Sequence, residues 1–294
     1  MTTDSTSTDE SPVEQGARSA SADRAPGLPG EQLGTEPTPG QLLCLRGVGK
    51  HFGPVVALDD INLDVAAGKV TALLGDNGAG KSTLIKVIAG IHGSDAGTIY
   101  WDGKPVHINS PHDATRLGIA TVYQDLALCD NLDIVANMFL GEELGRFGII
   151  SEAPMERKAR ETLAGLSVTS VRSIRQPVGS LSGGQRQGVA VARAVMADAR
   201  LVIMDEPTAA LGVTQTEVVI DLIRSLAASG VAVIVISHNL NDVYAVADTV
   251  AVLYLGRLVA QGSQTEIDRQ NAVELITLGT AAAREQAGAA APTG

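Results

Sequence analysis

Gly75-Asp76-Asn77-Gly78-Ala79-Gly80-Lys81-Ser82-Thr83 follows directly on the apolar run Val70–Leu74. Such a run reads as a buried strand feeding a glycine-rich loop. Glycine at positions 75, 78 and 80 opens backbone conformations closed to residues with a Cβ. Successive N–H groups can then turn inward as an anion nest. The apolar positions Leu84, Ile85, Val87 and Ile88 predict a helix starting near Gly80, whose N-terminus adds partial positive charge. The spacing fits G-x-x-x-x-G-K-[ST], a phosphate-binding loop. Residues 75–83 are therefore candidates to hold a nucleoside triphosphate, Ala79 and Thr83 included. Lys81 is expected on the β- and γ-phosphates and Ser82 on Mg²⁺.

Working outward, short apolar strands alternate with helical patterns. Strands are expected at Leu42–Arg46, Ile61–Val65, Thr98–Trp101, Ile119–Tyr123, Leu201–Met204, Val231–Ile236 and Val250–Tyr254. Helices are expected at Ile134–Leu140, Met155–Leu166, Gly184–Met196 and Thr214–Ala228. Apolar strands alternating with helices predict an α/β fold with a parallel sheet covered on both faces. Ligands of such sheets bind beyond the strands' carboxyl ends. Asp205-Glu206 and Ser237-His238 fall at predicted strand ends, as the glycine loop does, so one site can gather all three. Asp205 suits a Mg²⁺ ligand facing Ser82, and Glu206 suits a group that orients or deprotonates an attacking water.

Composition sets the bounds. The chain has 294 residues, 45% of them hydrophobic, and a net charge of −11. That acidity argues against nucleic acid as a partner. Residues 1–40 hold seven acids and two bases, lack aromatics and are rich in Ser, Thr, Pro and Gly. This segment is expected to be a disordered acidic tail, and it lacks the basic start and apolar stretch of a signal peptide. The folded body is expected over 41–279, with a helical insertion at about 131–198 and a flexible tail at 280–294. Cys44 and Cys129 sit among hydrophobic residues and read as buried reduced thiols. No apolar run approaches the length of a membrane span.

Leu181-Ser182-Gly183-Gly184-Gln185-Arg186-Gln187 resembles the signature of the ABC ATPase family. The resemblance spans about 42–270 and implies a RecA-like core, an antiparallel β subdomain and the inserted helical subdomain. It implies two such domains stacked head to tail, with Ser182, Gly183, Gly184 and Gln185 of one chain contacting the nucleotide on the other's phosphate loop. It implies that Phe52 stacks on adenine, that Gln124 contacts Mg²⁺ or the water, and that His238 contacts the γ-phosphate. Lys81, Gln124, Glu206 and His238 are thus the catalytic candidates, with Ser82, Gln124 and Asp205 on the metal. Gly212 departs from the pattern, since the family often has Asp there. Asp102-Gly103-Lys104-Pro105-Val106, Val122-Tyr123-Gln124-Asp125-Leu126 and Asn137-Met138-Phe139-Leu140-Gly141 resemble the ATPases of ribose, xylose, galactose and fructose importers, the single-domain fructose type in particular. The implied partners are a second ATPase subunit, a membrane permease and a periplasmic or lipid-anchored sugar-binding protein, with the chain peripheral on the cytoplasmic face. An ABC ATPase for another solute, and a soluble ABC protein uncoupled from transport, remain alternatives.

Overall fold

The computed structural model describes residues 36–289 apart from 147–148, 167, 169–170, 197 and 210, with side chains described up to 279. The chain opens with the antiparallel pair β1 (Gln41–Phe52) and β2 (Val55–Ala66), then β3 (Val70–Leu74) and α1 (Lys81–Ile88). The pair β4 (Ala96–Trp101) and β5 (Lys104–Val106), α2 (Pro111–Arg116) and β6 (Ile119–Val122) follow. The helical stretch holds α3 (Ile134–Met138), the small hairpin β7 (Gly145–Arg146) and β8 (Ile149–Ile150), α4 (Glu152–Gly165) and α5 (Gly183–Met196). The rest alternates: β9 (Leu201–Asp205), α6 (Val213–Ala228), β10 (Ala232–Ile236), α7 (Leu240–Val246), β11 (Thr249–Tyr254), β12 (Arg257–Ser263) and α8 (Arg269–Ala289).

Two main sheets result. Strands in the order β2-β1-β4-β5 form an antiparallel sheet. The central sheet runs β12-β11-β3-β10-β9-β6, parallel except for β12 at one edge. Every residue of β3 and β10 is buried, which is why these strands read as unbroken apolar runs rather than alternating ones. One face of the central sheet packs with the antiparallel sheet and α1 through Leu73, Ile203, Ile234, Leu43, Leu63 and Leu84. The opposite face packs Val70, Val202 and Val233 against Ile134, Leu163, Val189 and Leu222 of the surrounding helices.

The departures from expectation are local. β5, the β7–β8 hairpin, β12, α2, α7 and α8 are not among the expected elements, and α3 ends at Met138, two residues early. α2 is a single short helix set by its ends: Ser110 accepts from the Asp113 N–H, and Pro111 takes the first helical position. Helix α8 continues beyond a break at Gly279 to Ala289, within the stretch expected to form the C-terminal tail; 290–294 lie outside the described residues. At the other end Arg46 and Asp64 form a buried ion pair at 2.7 Å. Arg46 also donates to the Glu36 carbonyl and the Thr38 hydroxyl, and that hydroxyl donates to Asp64. The body therefore extends upstream at least to Glu36, while the acidic tail over 1–35 lies outside the described residues. Cys44 is buried and its thiol is pushed up to about 11, chiefly by that burial; Cys129 is half-buried rather than buried.

Candidate functional site

The carboxyl ends of β3, β10, β9 and β6 lie side by side, because these four strands are neighbours and parallel. The loop after β3 turns back at once. Gly75, Gly78 and Gly80 all have positive φ, at 154°, 83° and 104°. Two of them are also packed too closely for a side chain. A Cβ at Gly75 would lie 2.6 Å from the Leu253 carbonyl, and one at Gly80 would lie 2.9 Å from the Ala57 carbonyl. The Lys81 ammonium reaches back across the loop and donates to the Gly75 carbonyl at 2.7 Å and the Asp76 carbonyl at 3.0 Å. Partial burial holds its pKa below the ordinary lysine value, against the opposing pull of Glu206, Asp76 and Asp205.

Asp205 is the last residue of β9, and Glu206 follows with φ 51°. The left-handed turn is pinned by the Glu206 N–H, which donates to the Ile236 carbonyl at the end of β10 at 2.9 Å. Immediately after that strand end, the Ser237 hydroxyl accepts from the Asn239 N–H at 3.0 Å, closing a turn that leaves the His238 ring exposed. His238 Nδ1 lies 2.8 Å from Glu206 Oε2. The approach is close but misaligned: that oxygen is buried and accepts no hydrogen bond among the described residues. The Asp205 carboxyl is pushed above the ordinary range, first by burial and then by the neighbouring Glu206 charge, with Lys81 opposing.

These groups share one cleft of about 720 Å³, lined by Asn77 to Thr83, Gln124, Asp205, Glu206 and His238. Gly75 and Asp76 begin the same loop behind that lining. Ala209 and Ile236 also line the cleft, and the rest of the wall comes from residues that sequence reasoning missed: Val55, Val56 and Ala57 of β2, and Leu255 and Gly256 between β11 and β12. No polar pattern marks them; the one local signal is Leu255-Gly256 as a turn after an apolar strand. Phe52 does not line the cleft. It is exposed at the end of β1, edge-on to His92 with ring centres 5.1 Å apart and 5.5 Å from the Lys50 ammonium.

Ser182 to Gln185 also lie outside this cleft. They start α5 with a reciprocal cap: the Gln185 side chain accepts from the Ser182 N–H at 3.0 Å, and the Ser182 hydroxyl accepts from the Gln185 N–H at 3.4 Å. Gly183 and Gly184 are close-packed, since a Cβ on Gly183 would lie 2.5 Å from the Leu211 side chain and one on Gly184 3.2 Å from the Gln215 carbonyl. Gly212 has open space around it and φ −75°, a conformation any residue adopts.

The family of ABC transporters matches residues 58–209. The xylose/arabinose import ATP-binding protein XylG of Sulfolobus acidocaldarius is 44% identical over 236 residues, covering 80% of this chain and 94% of that protein. The fructose import ATP-binding protein FrcA of Rhizobium meliloti is 44% identical over 243 residues, with the same coverage of 80% and 94%. Among solved structures, a nucleotide-free ATP-binding cassette from an ABC transporter is 29% identical, with a TM-score of 0.69 over 80% of this chain and 95% of that one. The glycine loop, the capped start of α5 and the acidic end of β9 all fall inside the matched stretch, and this chain belongs to the ABC transporter ATPase family.

Proposed function

We propose that this chain is the ATP-hydrolysing subunit of a membrane importer for a simple sugar. The observation that carries the enzymology is the cleft in which the glycine loop, Gln124, Asp205, Glu206 and His238 meet. In this reading the loop N–H groups and Lys81 hold the phosphates. Glu206 takes the proton of the attacking water, with His238 Nδ1 2.8 Å from its Oε2. His238, beside Glu206, is assigned to contact the terminal phosphate. The residues also fit Mg²⁺, which needs only one or two protein oxygens beside phosphates and water. Ser82, Asp205 and Gln124 offer oxygens, and the burial of Asp205 beside Glu206 concentrates negative charge that a cation relieves. When bound, Mg²⁺ neutralises charge on the β- and γ-phosphates.

The capped helix start at Ser182–Gln185 stands apart from the chain's own cleft, which favours its use on a second copy, head to tail. Phe52 remains the proposed adenine contact at the cleft's margin. The sugar comes from the relatives: XylG and FrcA are import proteins by name, for xylose or arabinose and for fructose. A permease, a sugar-binding protein and a peripheral position on the cytoplasmic face follow from that role.

Mixing mutants tests the pairing. Ser182→Arg damages the surface offered to the partner, and Lys81→Ala damages the chain's own phosphate loop. Each homodimer is expected to be inactive, while the mixture regains part of the activity through its one intact composite site. Normal hydrolysis by either variant alone rejects the shared site. Uptake of labelled xylose, arabinose, ribose and fructose by cells lacking the gene tests the cargo; unchanged uptake of all four rejects sugar import.

A further inference from the structure

The turn between β11 and β12 uses a residue that does not belong in it. Tyr254 pairs with Arg257, so Leu255 and Gly256 form a two-residue hairpin loop. Both have positive φ, at 45° and 80°, as a type I′ turn requires. That turn favours Asn-Gly or Asp-Gly, because a branched side chain is strained in the left-handed region. The chain follows the rule at another two-residue loop: Trp101 pairs with Lys104 around Asp102-Gly103, at φ 54° and 74°. Leu255 breaks it with no compensating burial, for it is 73% exposed. Nor can the turn relax, because it is fastened on both sides. The Gly256 N–H donates to the Ala79 carbonyl of the phosphate loop at 3.0 Å, and the Gly256 carbonyl accepts from Asp59 of β2 at 2.8 Å. Arg257 pairs with Asp59 beside it.

This strained, exposed leucine lines the same cleft as the phosphate loop, together with Val55 and Val56, which are 59% and 52% exposed. The cleft thus has two kinds of wall. One carries Lys81, Ser82, Gln124, Asp205, Glu206 and His238; the other is hydrocarbon. Phosphates need the first. The flat faces of the base are the part of the nucleotide suited to the second. We propose that Leu255 is a nucleobase contact that closes, with Val55 and Val56, an apolar wall holding the base by surface contact. The inference rests on the chain binding ATP and adds a specificity element that the phosphate-handling motifs do not contain.

Leu255→Asn in the full chain separates the possibilities, with Leu255→Gly as the second variant. Both residues suit the turn, so the melting temperature is expected to rise by about 2–4 °C. ATP affinity is expected to fall roughly three- to tenfold through lost apolar contact. Binding of inorganic tripolyphosphate, which has no base, is expected to stay within about twofold of wild type. Unchanged ATP affinity in both variants overturns the proposal. So does an equal loss for ATP and tripolyphosphate, which assigns Leu255 to supporting the phosphate loop through Gly256. Wild-type chain that binds neither compound instead overturns the ATPase reading on which the proposal stands.

Discussion

Replacing Glu206 by Gln isolates one proton-accepting oxygen pair at almost constant shape. The backbone strain at φ 51° is common to both residues, and the N–H bond to Ile236 is untouched, so the turn is conserved. What changes is charge. Loss of a general base costs about 10²–10⁴ in rate, or roughly 2.7–5.5 kcal/mol of activation free energy. Stability moves the other way. The Asp205 carboxyl is held above its ordinary range partly by Glu206, so its folded pKa exceeds the unfolded one. A carboxyl raised in this way destabilises the fold above its folded pKa and is relieved as pH falls through it. Removing Glu206 removes the second cause and leaves burial. The variant is therefore expected to melt slightly higher than wild type at neutral pH, with the difference shrinking on acidification. It should also bind ATP at least as tightly, since one charge facing the phosphates is gone. Phosphate release under saturating ATP, a binding titration and melting curves across pH check all three. Hydrolysis within threefold of wild type refutes the base assignment, and a melting temperature several degrees lower refutes the electrostatic argument.

Two further outcomes follow from packing. Gly80→Ala combines a φ of 104° with a Cβ 2.9 Å from the Ala57 carbonyl, so a loss of about 1–3 kcal/mol from strain plus a clash is expected, against a smaller loss for Gly78→Ala, which meets nothing within 4 Å; thermal melts of the two variants should rank them in that order. A chain beginning at residue 41 lacks the Glu36 carbonyl and Thr38 hydroxyl that serve the buried Arg46–Asp64 pair, and is expected to be less stable by about 1–3 kcal/mol than one beginning at residue 36, as denaturant titration would measure.

The legible part of this molecule is the part in which local chemistry dictates the answer. The phosphate loop needs its glycines where backbones crowd, and the buried strands need unbroken apolar runs, so both announce themselves. Asp205, Glu206 and His238 could be placed because a parallel sheet puts all strand ends on one edge. Shorter elements escaped. α2 and α7 depend on single caps, Ser110 and Asn239, and span only six and seven residues, too few for a periodic pattern. β12 is an edge strand of mixed burial whose register depends on β11. The hydrocarbon wall could not be read at all: Val55 and Leu255 come from opposite ends of the body, and tertiary contacts such as the turn's bonds to Ala79 and Asp59 bring them to one cleft.

The helices inserted between β6 and β9 share one continuous hydrophobic cluster with a face of the central sheet, from Ile134 and Leu163 through Val189 to Val202 and Val233. Ile134, Leu163, Val189, Val202 and Val233 are all nearly inaccessible to solvent, so no seam of water divides insertion from core. Cooperativity is the consequence. A segment that keeps its own oil can melt alone, but this one can leave only by uncovering the strands that carry Asp205 and the phosphate loop. The insertion is therefore not a cassette to be exchanged between relatives without recutting the sheet beneath it, and its unfolding is the unfolding of the enzyme.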